Sequence, residues 1–190
     1  DLIESSSNIY IINFNTKTYL DSVKLIEVFT SLKANAVVTF DKVCNDMLNA
    51  AMEISNAGEN YIDLMMISID TKELEFKGHN FGNFIINSSS RGVLTNGNEY
   101  PAQKAFLEKS QVRCSLDKGE KVMILSPGSK RILPGNLSEV VTDLMSKKMS
   151  GANILDEVFI LLGQQKESGF LPCDVTGVVL EVNSNVIGKI

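Results

Sequence analysis

The sequence is poor in the residues that build metal sites and disulfide frameworks. Its 190 residues include one histidine, His79, and three cysteines, Cys44, Cys114 and Cys173. A single imidazole excludes a multi-histidine metal site, and three widely spaced cysteines form neither a disulfide framework nor a zinc motif. We expect Cys44 and Cys114 to be small core residues, because each lies on a predicted apolar face. Reduced cysteines favour a cytoplasmic protein.

Long apolar runs and a basic surface are also missing. No run approaches the roughly 20 apolar residues of a membrane helix, so we expect no membrane contact from this domain. The net charge is −5 and the basic residues are scattered, which argues against nucleic acid as a partner. The length predicts a single domain over residues 1–190. Because the first residue is not methionine, we expect this domain to be the C-terminal part of a longer protein.

Hydrophobic periodicity predicts an α+β fold with antiparallel sheets. The patterns predict strands at residues 8–14, 61–69, 74–79, 81–87, 111–116, 120–125 and 175–182. Helical spacing predicts one helix pair between the first two strands. It predicts a second pair before the last strand, beginning at Asn136 or Ser138. Residues 88–92, 96–98 and 126–128 are predicted as loops or turns. This order, with five consecutive strands between helix pairs, is typical of α+β proteins.

Three short segments carry a more specific pattern. Ser126–Gly128 (Ser-Pro-Gly) follows the strand at 120–125, and Cys173–Thr176 (Cys-Asp-Val-Thr) opens the last strand. Gly78 and His79 lie earlier, between two hydrophobic runs. In this order and at these distances, the segments resemble those of PPM-type (protein phosphatase 2C-like) serine/threonine phosphatases, in their bacterial SpoIIE-type branch.

The resemblance implies a fold and a chemistry. The fold would be a four-layer αββα sandwich of two mainly antiparallel sheets flanked by helix pairs. The chemistry would use two manganese or magnesium ions, held by carboxylates, to activate a water that attacks a phosphoserine or phosphothreonine. The setting would be bacterial signal transduction.

The chain departs from the family where the metal ligands belong. The family's Thr-Asp-Gly places its aspartate at Pro127, and its Asp-Asp-x-Thr places the first acid at Cys173. The strand that should end in Gly-Asp instead ends near Asn13 and Asn15. The earliest family aspartate corresponds to Asp1 or lies before it. The degenerate site positions are therefore Asn13, Asn15, Pro127, Gly128, Cys173 and Asp174.

These departures predict a phosphatase-like regulatory domain, or pseudophosphatase, with no catalytic residues and no metal cofactor. Such a domain would bind a protein partner or transmit a signal through the first helix pair, and a homodimer is compatible with this role. We expect His79 to hydrogen-bond a loop at a strand end and not to act as a proton donor.

Two alternatives stay open. The first is an active metal-dependent phosphatase acting on a phosphoprotein such as an anti-sigma-factor antagonist. Its acids would be Asp21, Asp117 and Asp174, or acids outside this sequence. The second alternative is a structural domain that serves only oligomerisation.

Overall fold

The computed structural model describes residues 2–4, 7–35, 38–56, 62–97, 100–133, 137–164, 171 and 173–183. Two compact units make up the chain, Asp1–Gly82 with Asn98–Ser115 and Asn83–Gly97 with Leu116–Ile190. The strands are β1 (Leu2–Glu4), β2 (Asn8–Asn15), β3 (Asp63–Asp70), β4 (Glu75–Phe81), β5 (Ile85–Ser88), β6 (Gly92–Asn96), β7 (Gln111–Ser115), β8 (Lys121–Leu125) and β9 (Gly177–Glu181). The helices are α1 (Tyr19–Lys33), α2 (Phe40–Asn56), α3 (Pro127–Ile132), α4 (Leu137–Ser146) and α5 (Gly151–Gln164), with a short 3₁₀ helix at Lys104–Phe106.

The first unit is a five-stranded antiparallel sheet with a helix pair. Its strand order is β1-β2-β3-β4-β7. β2 and β3 pair along their whole length, from Asn8 opposite Asp70 to Asn15 opposite Asp63. Helices α1 and α2 pack on this sheet, because each has an apolar stripe at helical spacing. The core that they share includes Tyr10, Ile12, Leu25, Phe29, Met47, Leu48, Ile54, Leu64 and Met66.

The second unit repeats this plan with four strands. The strand order is β6-β5-β8-β9, and all its pairs are antiparallel. Helices α4 and α5 pack against the strands β5 and β9. Their core includes Ile85, Met123, Leu125, Leu137, Val141, Leu144, Ile154, Val158 and Leu162. The predicted α+β class with two antiparallel sheets is therefore confirmed, and so is the burial of Cys44 and Cys114. Within the described residues, no helix is both long and apolar enough to span a membrane.

Several predicted boundaries were wrong. The predicted strand at 81–87 is divided, because the backbone leaves β4 at Gly82 with a φ of 124° and β5 begins only at Ile85. β6 was not predicted, since its sequence has few apolar residues and only Thr95 is buried, and its two ends, Gly92 and Asn96, fall in predicted loops. β1 was not predicted at all. The described residues thus contain six strands between the helix pairs, not five. Tyr61 and Asn136, the predicted starts of a strand and a helix, lie outside the described residues.

The segment predicted as a Ser-Pro-Gly turn is instead the start of a helix. Ser126 is the N-cap of α3, and Pro127 is in its first turn, where a missing backbone N–H costs nothing. The second helix group therefore has three members and not two. A helix of six residues is too short to leave a clear period in the sequence, which explains the error.

Candidate functional site

Asn13 and Asn15, the first two site positions, lie near the end of β2. Asn15 is opposite Asp63 in the ladder, and its Nδ2 donates a hydrogen bond of 3.1 Å to Asp63 Oδ2. Asn13 is half-buried and lines a pocket of about 310 Å³ beside α1. The two amides therefore differ, because one binds a carboxylate and the other lines a pocket.

Asp63 is a buried carboxylate that the sequence analysis did not single out. Only 1% of the residue is exposed. Gly82 lies against it so closely that a Cβ on this glycine would collide with Asp63 Oδ1. The carboxylate thus packs on the backbone that leaves β4 and accepts the Asn15 amide at the same time. An acid that opens an otherwise apolar strand was the available sequence signal.

Ser126 and Thr176 join the start of α3 to the segment before β9. The Ser126 backbone N–H donates to the Thr176 carbonyl at 2.9 Å, and the Thr176 N–H donates back to Ser126 Oγ at 2.9 Å. Strands β8 and β9 pair directly beyond this point, with Leu125 opposite Gly177. The hydroxyl of Ser126 is therefore used as a hydrogen-bond acceptor in a structural contact.

Four of the predicted site positions meet at this end of the second sheet. Cys173 Sγ donates to the Gly128 carbonyl at 3.3 Å. The Asp174 backbone approaches Gly128 so closely that a Cβ there would collide with the Asp174 carbonyl oxygen. Pro127 precedes Gly128 and is buried, whereas the Asp174 side chain is exposed. The structure thus brings Pro127, Gly128, Cys173 and Asp174 together at one end of the second sheet.

The donor atoms at these positions do not fit a pair of manganese or magnesium ions. Such ions prefer carboxylate oxygens, and these positions supply amides, a thiol, a proline and a single carboxylate, Asp174, whose side chain is exposed. Asp63, the buried carboxylate opposite Asn15, already accepts the Asn15 amide. Nowhere in the described part of the chain do three or more His, Cys, Asp or Glu side chains form a group that could hold a metal ion.

Among the acids of the active-enzyme alternative, Asp21 and Asp117 are bound to other residues, and Asp117 and Asp174 lie apart. Asp21 lies in the first turn of α1, where Thr18 Oγ1 donates to its Oδ2 at 2.7 Å. Asp117 precedes β8 and faces Arg91, with 3.5 Å between Oδ2 and NH2. Asp174 lies beyond the opposite end of β8, so Asp117 and Asp174 are separated by the length of that strand. Asp1 lies outside the described residues.

His79 hydrogen-bonds a loop, as predicted, but it lies within β4 (Glu75–Phe81) and not at a strand end. Its Nδ1 lies 3.1 Å from the Leu107 carbonyl and 3.0 Å from Ser110 Oγ. Because a carbonyl only accepts, Nδ1 carries the proton of the neutral ring. Burial lowers the pKa of His79, and the hydrogen bond to Leu107 opposes this only in part. The ring is therefore a neutral structural group that also stacks on Phe81, with 5.9 Å between ring centroids.

A second buried carboxylate, Glu120, organises the other end of the second sheet. It accepts hydrogen bonds from Ser88 Oγ at 2.5 Å, from Ser90 Oγ at 2.6 Å and from the Asp117 N–H at 2.6 Å. Arg91 NH1 adds bonds of 2.9 and 3.0 Å to its two oxygens. Burial alone raises the pKa of Glu120, but these hydrogen bonds outweigh burial and the pKa is lowered. Residues 88–92 were predicted as a loop, and their hydrogen bonds to Glu120 were not predicted.

Comparison with known proteins reveals the fold but no close relative. No protein-family model matches the sequence, and no curated protein sequence matches it significantly. Among solved structures, the chain is similar to the PP2C phosphatase domain of the cell fate determinant SpoIIE from Bacillus subtilis, with a TM-score of 0.72 and 14% identity. The match covers 96% of this chain and 57% of the SpoIIE chain, which also holds a fragment of a regulatory domain.

Two further bacterial structures have the same fold. The SiaA PP2C domain of Pseudomonas aeruginosa matches with a TM-score of 0.73 and 9% identity, over 95% of this chain and 78% of that one. A Mycobacterium tuberculosis protein with RsbU and RsbW domains matches with a TM-score of 0.67 and 11% identity, over 96% of this chain and 54% of that one. The predicted resemblance is confirmed at the level of the fold: this chain has the fold of PP2C-type, SpoIIE-like phosphatase domains.

Proposed function

We propose that the chain is a phosphatase-like regulatory domain that binds no metal pair and hydrolyses no phosphate. It would act in the cytoplasm in bacterial signal transduction, through a protein partner. The observation that carries the proposal is the chemistry of the predicted ligand positions. An amide, a proline and a thiol, at Asn15, Pro127 and Cys173, replace the carboxylates that the resemblance implies.

The contacts at these positions support the proposal. Asn15 donates to Asp63, and the Cys173 thiol donates to the Gly128 carbonyl, so both groups are engaged with protein atoms. A divalent cation would have to break these bonds and lose its hydration shell, without gaining the carboxylates that offset this cost. His79 is held in a structural contact, because its Nδ1–H donates to the Leu107 carbonyl, and burial lowers its pKa.

The outer face of α1 supports a role in partner binding. Tyr19, Leu20 and Ile26 are 81%, 72% and 49% exposed, while Leu25 and Phe29 are buried. A helix with apolar residues on both faces is typical of one that contacts a second surface. We therefore propose that the helix pair α1 and α2 forms the partner-binding or signal-transmitting face.

A metal titration with a phosphatase assay tests the proposal. We expect calorimetry with Mn²⁺ to show no saturable binding, and we expect no release of phosphate from p-nitrophenyl phosphate or a phosphoserine peptide in millimolar Mn²⁺. An active PP2C-type phosphatase, assayed in parallel, controls for the substrates and the metal.

The active-enzyme alternative predicts the opposite result. Mn²⁺-dependent release of phosphate that Asp63→Asn or Asp174→Asn abolishes would refute the proposal and assign those acids to a metal site. Release that persists unchanged in both variants, each purified by the same route, would indicate a contaminating phosphatase.

A further inference from the structure

The outer side of the α4 and α5 pair carries an open groove that the proposed function does not use. Its volume is about 490 Å³. The floor is apolar, with Val140 and Leu144 from α4 and Leu161 from α5. Leu144 is buried, but Val140 and Leu161 remain half-buried, so part of the floor faces solvent. We call this surface the α4–α5 groove.

The rim of the α4–α5 groove is acidic. Glu139 and Asp143 lie on α4 and Glu157 on α5, and all three are exposed. The rim has one base, Lys147, whose Nζ lies 3.2 Å from Asp143 Oδ2. Glu139 and Asp143 are four residues apart on one helix, an arrangement that repels and disfavours the helix itself. A cationic partner would remove this repulsion, so the charges of the rim favour a basic occupant.

The helical walls of the groove restrict the secondary structure of the segment that can bind there. Both walls are helices, which bond their backbone groups internally and leave no strand edge for β-addition. An occupant must therefore satisfy its own backbone, as a helix does. Glu139 and Asp143 lie four residues apart on α4, and Lys147 follows directly after its last residue, so the three together span about 12 Å. That length accommodates roughly two turns of a partner helix.

An exposed apolar side chain extends the surface beside the groove. Ile160 is adjacent to Leu161 in α5 and is 54% exposed. Together with Phe159 and Asp156, Ile160 lines a second depression of about 650 Å³. Apolar and acidic side chains thus continue together across the outer face of α5.

We infer that the α4–α5 groove binds an amphipathic helix of a partner protein, with apolar residues on one face and Lys or Arg on its flanks. The apolar face of the partner covers Val140 and Leu161, and its cations pair with Glu139 and Glu157. This surface lies in the second unit, and its use goes beyond the proposed function because it does not depend on whether the domain hydrolyses phosphate.

Three labelled model peptides of about 14 residues test the inference by fluorescence anisotropy. The first has leucines at helical i, i+3, i+4 and i+7 positions and lysines elsewhere. The second keeps the leucines and has glutamates in place of the lysines. The third keeps the lysines and has glutamines in place of the leucines. We expect saturable binding of the first peptide only.

Matched variants locate the binding. Glu139→Lys with Glu157→Lys should weaken binding of the leucine–lysine peptide by about tenfold or more. Glu27→Lys with Glu53→Lys makes the same change of net charge on exposed sites of α1 and α2, and should leave the affinity unchanged. Val140→Ala with Leu161→Ala should weaken binding about threefold to tenfold through lost apolar contact. Circular dichroism confirms that each variant is folded.

Four results would each overturn the inference. The first is no saturable binding of the leucine–lysine peptide, and the second is equal binding of the peptide without leucines. The third is an equal loss of peptide affinity in the α1 and α2 control variant. The fourth is dimerisation of the protein that Glu139→Lys with Glu157→Lys abolishes. The last result would identify a second copy as the occupant. Phosphate release and Mn²⁺ binding, measured on the same samples, report on the proposed function separately.

Discussion

The two units of this protein have the same plan but differ at the predicted ligand positions. In the first unit the contact is between side chains, because the Asn15 amide donates to the Asp63 carboxylate. In the second unit the contacts involve the backbone. The Gly128 carbonyl accepts the Cys173 thiol, and the Asp174 carbonyl lies where a Cβ of residue 128 would be.

This difference has an energetic consequence. A side-chain hydrogen bond can be removed at the cost of one unsatisfied group, about 1–3 kcal/mol, while the strands stay in place. A backbone approach that leaves no room for a methyl group can be relieved only by movement of α3 or of the segment before β9. We therefore expect the second unit to be the more sensitive to substitution.

The largest effect is expected from Gly128→Ala. The new methyl would collide with the Asp174 carbonyl, and we expect a loss of about 3 kcal/mol of unfolding free energy in urea denaturation. Without the collision, alanine in a helix would stabilise the protein by about 0.5–1 kcal/mol. Gly92→Ala is the control, because its φ is 71° but its surroundings are open, and strain alone costs about 1–2 kcal/mol. A stabilised Gly128→Ala protein would contradict the close approach.

Glu120→Ala is expected to have the next largest effect. It removes the acceptor of the Ser88, Ser90 and Arg91 bonds, at a cost of about 2–3 kcal/mol. As a control in the first unit, Glu75→Ala breaks an ion pair with Arg113, which is 73% exposed, and should change stability much less.

The pH dependence of the unfolding free energy tests the hydrogen-bond cluster around Glu120. Because the folded-state pKa of Glu120 is lowered, its contribution is complete above the ordinary glutamate pKa of about 4.3. It disappears as the pH falls through the lower folded-state pKa. The stability difference between the wild-type protein and Glu120→Gln should therefore shrink below pH 4.3, and a constant difference down to pH 2 would exclude this role.

A smaller effect is expected in the first unit. Asn15→Ala should cost about 1–2 kcal/mol, because Asp63 loses the donor at its Oδ2. Asn13→Ala, two residues earlier on the same strand, removes only a pocket-lining amide and should change stability by less than about 0.5 kcal/mol. Equal losses would show that the Asn15–Asp63 bond is not what distinguishes the two positions.

The smallest effect concerns His79, the single histidine of the chain. Burial lowers its pKa, so we expect an NMR titration of the imidazole to give a value below 6.5. Protonation is then easier in the unfolded chain, and stability should fall as the pH drops below 6.5. His79→Asn should remove that slope, and a pKa above 6.5 would contradict the buried, neutral ring.

Much of the fold was predictable because its signals are local. β2, β3 and the helices α1 and α2 carry apolar residues at strand or helix spacing, and these patterns need no partner to be recognised. β6 and α3 were missed for the opposite reason. β6 has little apolar pattern of its own and is a strand because it pairs with β5, and α3 has only six residues.

For the candidate site, the sequence predicted which residue types occupy the ligand positions but not which residues they contact. The resemblance identified Asn13, Pro127 and Cys173 as positions without carboxylates, and that follows from the sequence. The resemblance did not identify Asp63 or Glu120, because the residues that bind these two carboxylates are mostly distant from them in the sequence. The resemblance also predicts that Asn13 and Asn15 converge with Pro127, Cys173 and Asp174 at one edge of the sandwich, and this stays a prediction.

By itself, the sequence determined the chemistry available to this protein. It has one imidazole, few thiols and a single acid, Asp174, at the predicted ligand positions, and its patterns of apolar residues specify an α+β chain. Only the tertiary structure decided what those groups contact. Asn15 meets Asp63 across 48 residues and Cys173 meets Gly128 across 45. The physical reason is that antiparallel register and hydrogen bonding between distant strands bring such pairs together, and no local pattern encodes that register.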